Sequence, residues 1–221
     1  MKEIPIGIAD FFEIRQENYF YADKTESLYN LLGGETPYFL SRPRRFGKTL
    51  LVSALEAILE GRRELFKGLW IDSSDYDWTP NPVVHLSLTS IVTTSVEDLN
   101  RDLSAYLQNI AKLAGLTIYE TNPTTFFRTL ITDLYLKYNR KVAVLIDEYD
   151  APILAQIERP ELAKEIRDAT SSFYAVLKNV EKYRGFTFIT GVTKFSKTSI
   201  FSSLNNFEDL TLDKNYATIC G

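Results

Sequence analysis

The run VAVLI at 142–146 is the feature that most constrains the fold. It is uninterrupted by any polar residue, has Arg140 and Lys141 before it, and ends in Asp147, Glu148, Tyr149 and Asp150. A short, wholly apolar run suits a strand buried on both faces, as in a parallel sheet covered by helices on either side. A parallel sheet needs a crossover between successive strands, so the rest of the chain should alternate strand and helix.

It does. Tyr38, Phe39 and Leu40 read as a short strand, the loop RPRRFG follows at 42–47, and an apolar helix runs from Lys48 to Glu60 before Gly61. VVHLSLTS at 83–90 alternates and is rich in β-branched residues, which predicts a second strand. Ser95 with Asp98 opens a helix whose Leu99, Leu103, Tyr106, Leu107 and Ile110 share one face, closed by Gly115. Asn122 and Pro123 start another, carrying Phe127, Leu130, Leu134 and Tyr138. Pro160 begins a helix expected to keep Leu162, Ile166, Ala169, Phe173 and Leu177 in register, and FTFIT at 186–190 and FEDLTL at 207–212 complete the strands. Near the start, Asp23 and Glu26 fit a capping box ahead of Leu28, Leu31 and Leu32, with Gly33 and Gly34 ending that helix. The fold class is therefore α/β, with a mainly parallel five-stranded sheet flanked by helices. Ligands of such sheets bind outside the carboxyl ends of the strands.

Composition removes other classes. One cysteine, Cys220, and one histidine, His85, allow no internal disulfide and no zinc site of the usual spacing, which points to a reducing compartment and a cytoplasmic location. No apolar run is long enough to span a membrane, so no membrane partner is expected. The net charge of -4 argues against a general nucleic-acid coat but allows local basic patches. No repeat or long linker divides the chain, which reads as one unit over 1–221.

The chemistry concentrates in two places. In RPRRFGKT at 42–49, Gly47, Lys48 and Thr49 stand where a phosphate-binding loop places its Gly-Lys-Ser/Thr. A helix starting at Lys48 turns unpaired N–H groups toward an anion, Gly47 lets the backbone approach phosphate, Lys48 bridges the β and γ phosphates, and Thr49 ligates magnesium. Pro43, Arg44, Arg45, Phe46 and Leu50 complete the binding loop. Its first position, a glycine in the general pattern, is Arg42; a left-handed backbone there costs an arginine ~1 to 2 kcal/mol, so the loop is expected to begin in another shape. The second place is the end of VAVLI, where Asp147 holds magnesium through water and Glu148 orients the attacking water. Asp150, ahead of Ala151 and Pro152, reads as structural, capping the next segment or pairing with Arg44 or Arg45. Thr190, or Thr193 in its place, could sense the γ-phosphate. VTKFSK at 192–197 puts Ser196 where a guanine-reading motif has aspartate, so ATP is preferred. His85 reads as a strand residue with a structural partner, and Trp70 and Trp78 as packing aromatics.

IPIGIADF at 4–11, YFYADKT at 19–25, FLSRPRRFGKTLL at 39–51, ELFKGLWI at 64–71, VLIDEYDAPI at 144–153 and FITGVTKFSKTSIFSSLNNFEDLTL at 188–212 together resemble the bacterial predicted AAA-ATPase-like family. The resemblance implies a P-loop ATPase with an additional catalytic glutamate and strand order 5-1-4-3-2. It implies ATP and Mg2+ as cofactors, Lys48, Glu148 and Thr190 as catalytic residues, and Thr49 and Asp147 as metal ligands. It makes Ile4, Pro5, Ile8, Tyr21 and Asp23 candidates for the adenine pocket. Members often carry a lid and a C-terminal domain resembling PD-(D/E)XK nucleases, through which nucleic acid would bind; the resemblance implies that both are absent from this chain. An arginine finger would then come from another copy of the chain or from a partner. Two rival functions remain: a nucleotide-responsive or inert scaffold binding nucleic acid through the arginine loop, and a metal nuclease built on Asp147, Glu148 and Asp150.

Overall fold

The computed structural model describes residues 2–34, 36–194 and 207–220. In chain order the elements are α1 (Phe11–Gln16), α2 (Thr25–Leu32), β1 (Tyr38–Ser41), α3 (Lys48–Leu59), β2 (Val83–Ser87), α4 (Val96–Leu113), α5 (Pro123–Tyr138), β3 (Val142–Asp147), α6 (Ala151–Leu154), α7 (Pro160–Tyr174), α8 (Val176–Asn179), β4 (Arg184–Gly191) and β5 (Glu208–Asp209). Short 3-10 turns follow α3 and β5. Among the described residues the strands form one sheet in the order β2-β3-β4-β1-β5, and every pairing is parallel. Read from the other edge this is 5-1-4-3-2.

All six residues of β3 are buried, and its five apolar side chains alternate between two cores. Val142, Val144 and Ile146 join Phe39, Val84, Leu86 and Ile189 on the face covered by α4, α5, α7 and α8. Ala143 and Leu145 join Tyr38, Leu40 and Phe188 on the other face, against α1, α2 and α3. The apolar run is thus uninterrupted because neither face of the strand meets water. Helix α3 follows the same logic: Leu51, Val52, Ala54, Leu55, Ala57, Ile58 and Leu59 are all buried.

Capping chemistry sets most helix starts. The Ser95 side chain accepts from the Asp98 N–H, and that of Asn122 accepts from Thr124 and Thr125 ahead of Pro123. Several boundaries differ from expectation: the strand expected over 83–90 ends at Ser87, that expected over 186–190 covers Arg184–Gly191, and three further differences have a visible cause. α2 begins at Thr25 with Lys24 at the cap, because the Asp23 carboxylate is taken by the Thr25 N–H and hydroxyl and by the Trp70 N–H. The helix from Pro160 stops at Tyr174, and Leu177 belongs to the separate α8. The last strand covers only Glu208–Asp209, since the Asp209 side chain accepts from the Thr211 N–H and pulls the chain into a 3-10 turn at Leu210–Leu212.

His85 lies on the edge strand β2, where Nδ1 meets Glu56 of α3 at 2.8 Å. Burial pushes its pKa down, but the hydrogen bond and charge of Glu56, with Asp147 and Glu60 adding, outweigh this and leave it above the usual 6.5. The folded chain therefore holds this proton more tightly than the unfolded one. The stabilisation is complete below the unfolded pKa and is lost as pH rises through the folded pKa. Because the chain has no other histidine, urea midpoints should fall from about pH 6.5 upward in the native chain and fall less in His85→Gln. Parallel pH profiles of the two proteins would show that the pair contributes nothing.

Candidate active site

Strands β1, β3 and β4 all end on the same edge of the sheet, and the expected chemistry collects there. Between β1 and α3 the chain forms a loop whose left-handed residues are Arg45 (φ 66) and Gly47 (φ 77). Arg42 is not among them, so the absent first glycine costs nothing at its own position, and the loop's strain falls on Arg45, at about 1 kcal/mol or more. Among the described residues no backbone hydrogen bond to a protein acceptor is made by the N–H groups of Arg44, Arg45, Gly47, Lys48 or Thr49. This row of free donors at the start of a twelve-residue helix forms a cradle of the kind that can receive an anion.

Within the cradle, Lys48 is 4% exposed, and its Nζ donates to the Pro43 carbonyl at 3.1 Å. No carboxylate pairs with it among the described residues. A buried ammonium with only a neutral acceptor is costly, and an anion placed beside it would offset that cost. Thr49 Oγ1 donates to Asp147 Oδ2 at 2.8 Å, bringing the loop and the end of β3 together across 98 residues of sequence. The other carboxylate oxygen, Oδ1, is buried without a partner. Arg44, Arg45 and Phe46 are exposed, Pro43 is exposed, and Leu50 is partly buried against the α3 core.

Glu148 follows directly in a left-handed conformation (φ 52), with Oε2 accepting from the Thr89 hydroxyl just beyond β2 at 3.3 Å. A glutamate held at positive φ is strained, and such strain gathers at functional sites. Thr89 was not singled out by any sequence pattern. A threonine within the predicted strand at 83–90 carries no signal by itself, and its contact spans 59 residues.

Asp150 is fully buried, in keeping with a structural role; it stands at the N-cap of α6 but makes no side-chain capping bond there and does not pair with the loop arginines. Its carboxylate accepts from the Val192 and Thr193 N–H groups and from the Thr193 hydroxyl. Gly191 makes this possible, since a Cβ there would come within 2.5 Å of Tyr149 and Asp150. The acids of the nuclease reading therefore face different tasks. Among the described residues no group of three or more His, Cys, Asp or Glu is placed to hold a metal ion.

Thr190 is buried, and its hydroxyl donates to the Leu40 carbonyl in β1 at 2.8 Å; Thr193 donates to Asp150. Of the adenine candidates, Ile4 is 74% exposed and Pro5 and Ile8 are partly buried. Tyr21 packs edge-on against Phe11, and burial first, then Asp23, push its phenol pKa up. Asp23 is committed to Thr25 and Trp70. Ser196 lies outside the described residues. Among the described residues no helix is long and apolar enough to cross a membrane.

A hard divalent cation such as Mg2+ fits the donor set. It takes few protein oxygens together with phosphate oxygens and water, and the pair Thr49 and Asp147 offers a hydroxyl beside a carboxylate with one oxygen unclaimed.

Comparison with known proteins gives two matches. A family model described as predicted AAA-ATPase matches residues 5–201. A protein of Azotobacter chroococcum mcd 1, described as an uncharacterized protein in the vnfD 5' region, is 38% identical over 222 residues. That match covers the whole of this chain and 43% of the relative, so the chain spans less than half of its relative's length.

Proposed function

The chain belongs to the predicted AAA-ATPase family, and from that premise we propose that it binds ATP with Mg2+ and hydrolyses it. The observation that carries this reading is the joining of the loop to β3 through Thr49 and Asp147, beside a buried lysine that lacks a carboxylate. The free N–H groups of Arg44, Arg45, Gly47, Lys48 and Thr49 receive the phosphates, and Lys48 neutralises the β and γ oxygens. Thr49 and Asp147 would hold the Mg2+, whose chemistry when bound is to draw charge from the phosphate oxygens. Glu148 accepts a proton from water and aligns it for attack, once its carboxylate leaves Thr89. Thr190, buried with its hydroxyl on the Leu40 carbonyl, would act as the γ-phosphate sensor once that bond opens. Hydrolysis then drives or switches an attached or partner module, and an arginine from a second copy or a partner speeds it. The chain's place is the cytoplasm.

The exposed Arg44, Arg45 and Phe46 favour one second reading, a scaffold that holds nucleic acid on this loop. Phosphate release separates the two. The first reading expects ATP turnover that needs Mg2+ and stops with a chelator; salt-sensitive DNA binding with no turnover supports the second and overturns the first.

A further inference from the structure

The residue at the loop's first position has an occupation of its own. Arg42 Nη1 donates to the Thr211 carbonyl at 2.5 Å and to the Ser41 carbonyl at 3.2 Å. The Arg42 N–H donates to Gly191 at the end of β4 at 3.2 Å. Its neighbour Ser41 repeats the pattern, with N–H to Thr211 Oγ1 at 3.1 Å and hydroxyl to the Val192 carbonyl at 3.0 Å. The start of the loop is therefore pinned on two sides, to the exit of β4 and to the 3-10 turn after β5.

That turn is tied back in its own right. Asp209 accepts from the Thr211 N–H at 2.9 Å and pairs with Lys194 at 2.6 Å. Lys194 follows the segment that Asp150 holds through Val192 and Thr193, and the Tyr149 hydroxyl donates to the Thr193 carbonyl at 2.9 Å. A closed ring of contacts thus runs from the loop through Arg42 to Thr211, Asp209, Lys194 and Asp150, and returns along the chain to Glu148 and Asp147. Glycine could supply none of the side-chain bonds in this ring.

We propose that Arg42 is a positioning residue. It holds the start of the phosphate loop against the 209–212 turn, so that nucleotide in the loop tightens the turn and loosening the turn weakens the nucleotide. This rests on the ATP reading above, and the coupling is reciprocal because both events share one free energy.

The test compares the native chain with Arg42→Gly, Arg42→Lys and Asp209→Asn by calorimetric titration with MgATP and by hydrogen exchange of amides 208–213. Glycine restores the general loop pattern yet removes the staple, and it is expected to weaken MgATP by about tenfold. Lysine can reach both carbonyls with one cation and is expected to restore most of the affinity. In the native chain saturating MgATP slows exchange at 208–213; in Arg42→Gly at saturation it does not. Should Arg42→Gly fail to fold, Asp209→Asn breaks the ion pair without touching the loop and carries the same expectation. Native-like affinity in Arg42→Gly or, if that variant does not fold, in Asp209→Asn overturns the proposal alone, as does unchanged exchange at 208–213 in a native chain saturated with MgATP. A native chain that takes up no MgATP overturns the nucleotide reading and this proposal with it.

Discussion

Lys48→Ala is expected to abolish the thermal stabilisation that MgATP gives the native chain. At a ligand concentration about 100 times Kd, linkage supplies ~2.7 kcal/mol, which for a domain of this size raises Tm by about 5 to 10 °C. The variant should show almost none of this, because the ammonium is the single cation buried within the cradle. The same variant makes a second, less obvious expectation. In the native chain without nucleotide, this charge is 4% exposed and satisfied only by the Pro43 carbonyl. Removing it relieves a desolvation cost at the expense of some packing of its methylene stem. Without nucleotide, Lys48→Ala should therefore melt no lower than the native chain. A variant that keeps the MgATP shift removes Lys48 from the site. One that melts far lower without nucleotide makes it structural.

The features legible in the sequence were those fixed by local pattern. VAVLI announced a strand with no solvent face, and the two cores divide its residues alternately. Ser95 and Asn122 marked helix starts because a cap acts on amides two or three residues away. The contact between Thr49 and Asp147 joins two motifs that could each be read separately, although the bond itself spans 98 residues. What stayed hidden depends on partners brought close only by folding. Arg42 reads as a departure from a glycine pattern until Thr211, 169 residues on, is seen beneath it. Thr190 reads as a free hydroxyl at a strand end until Leu40 is seen to accept its proton. The last strand was cut short by a side chain competing with the backbone, which the β-rich composition of FEDLTL does not reveal. The strained backbone of Glu148 leaves no trace in the sequence, since φ is set by the turn from β3 toward α6 and not by the residue type.

Glu148 and Asp147 are adjacent carboxylates whose variants are expected to part in ATP binding while both lose turnover, and that contrast tests the assignment of chemistry most directly. In the proposed reaction Glu148 is the proton acceptor, and its contact in this structure is the hydroxyl of Thr89. Glutamine preserves its size and can still meet Thr89, but it cannot accept a proton from water. Glu148→Gln should bind MgATP as the native chain does and lose turnover by about 10² to 10⁴. Asp147 is 1% exposed, receives Thr49 on one oxygen and keeps the other unpartnered. An amide there offers a weaker oxygen and a donor that repels a cation, so Asp147→Asn should lose the gain in ATP affinity that Mg2+ provides, and turnover with it. The two variants are separated by titrating ATP with and without Mg2+, followed by phosphate release in a single turnover. Equal loss of ATP binding in both would make Glu148 part of the frame. Undiminished turnover in Glu148→Gln would give the proton to another group, and the strained turn after β3 would then have to be explained by packing alone.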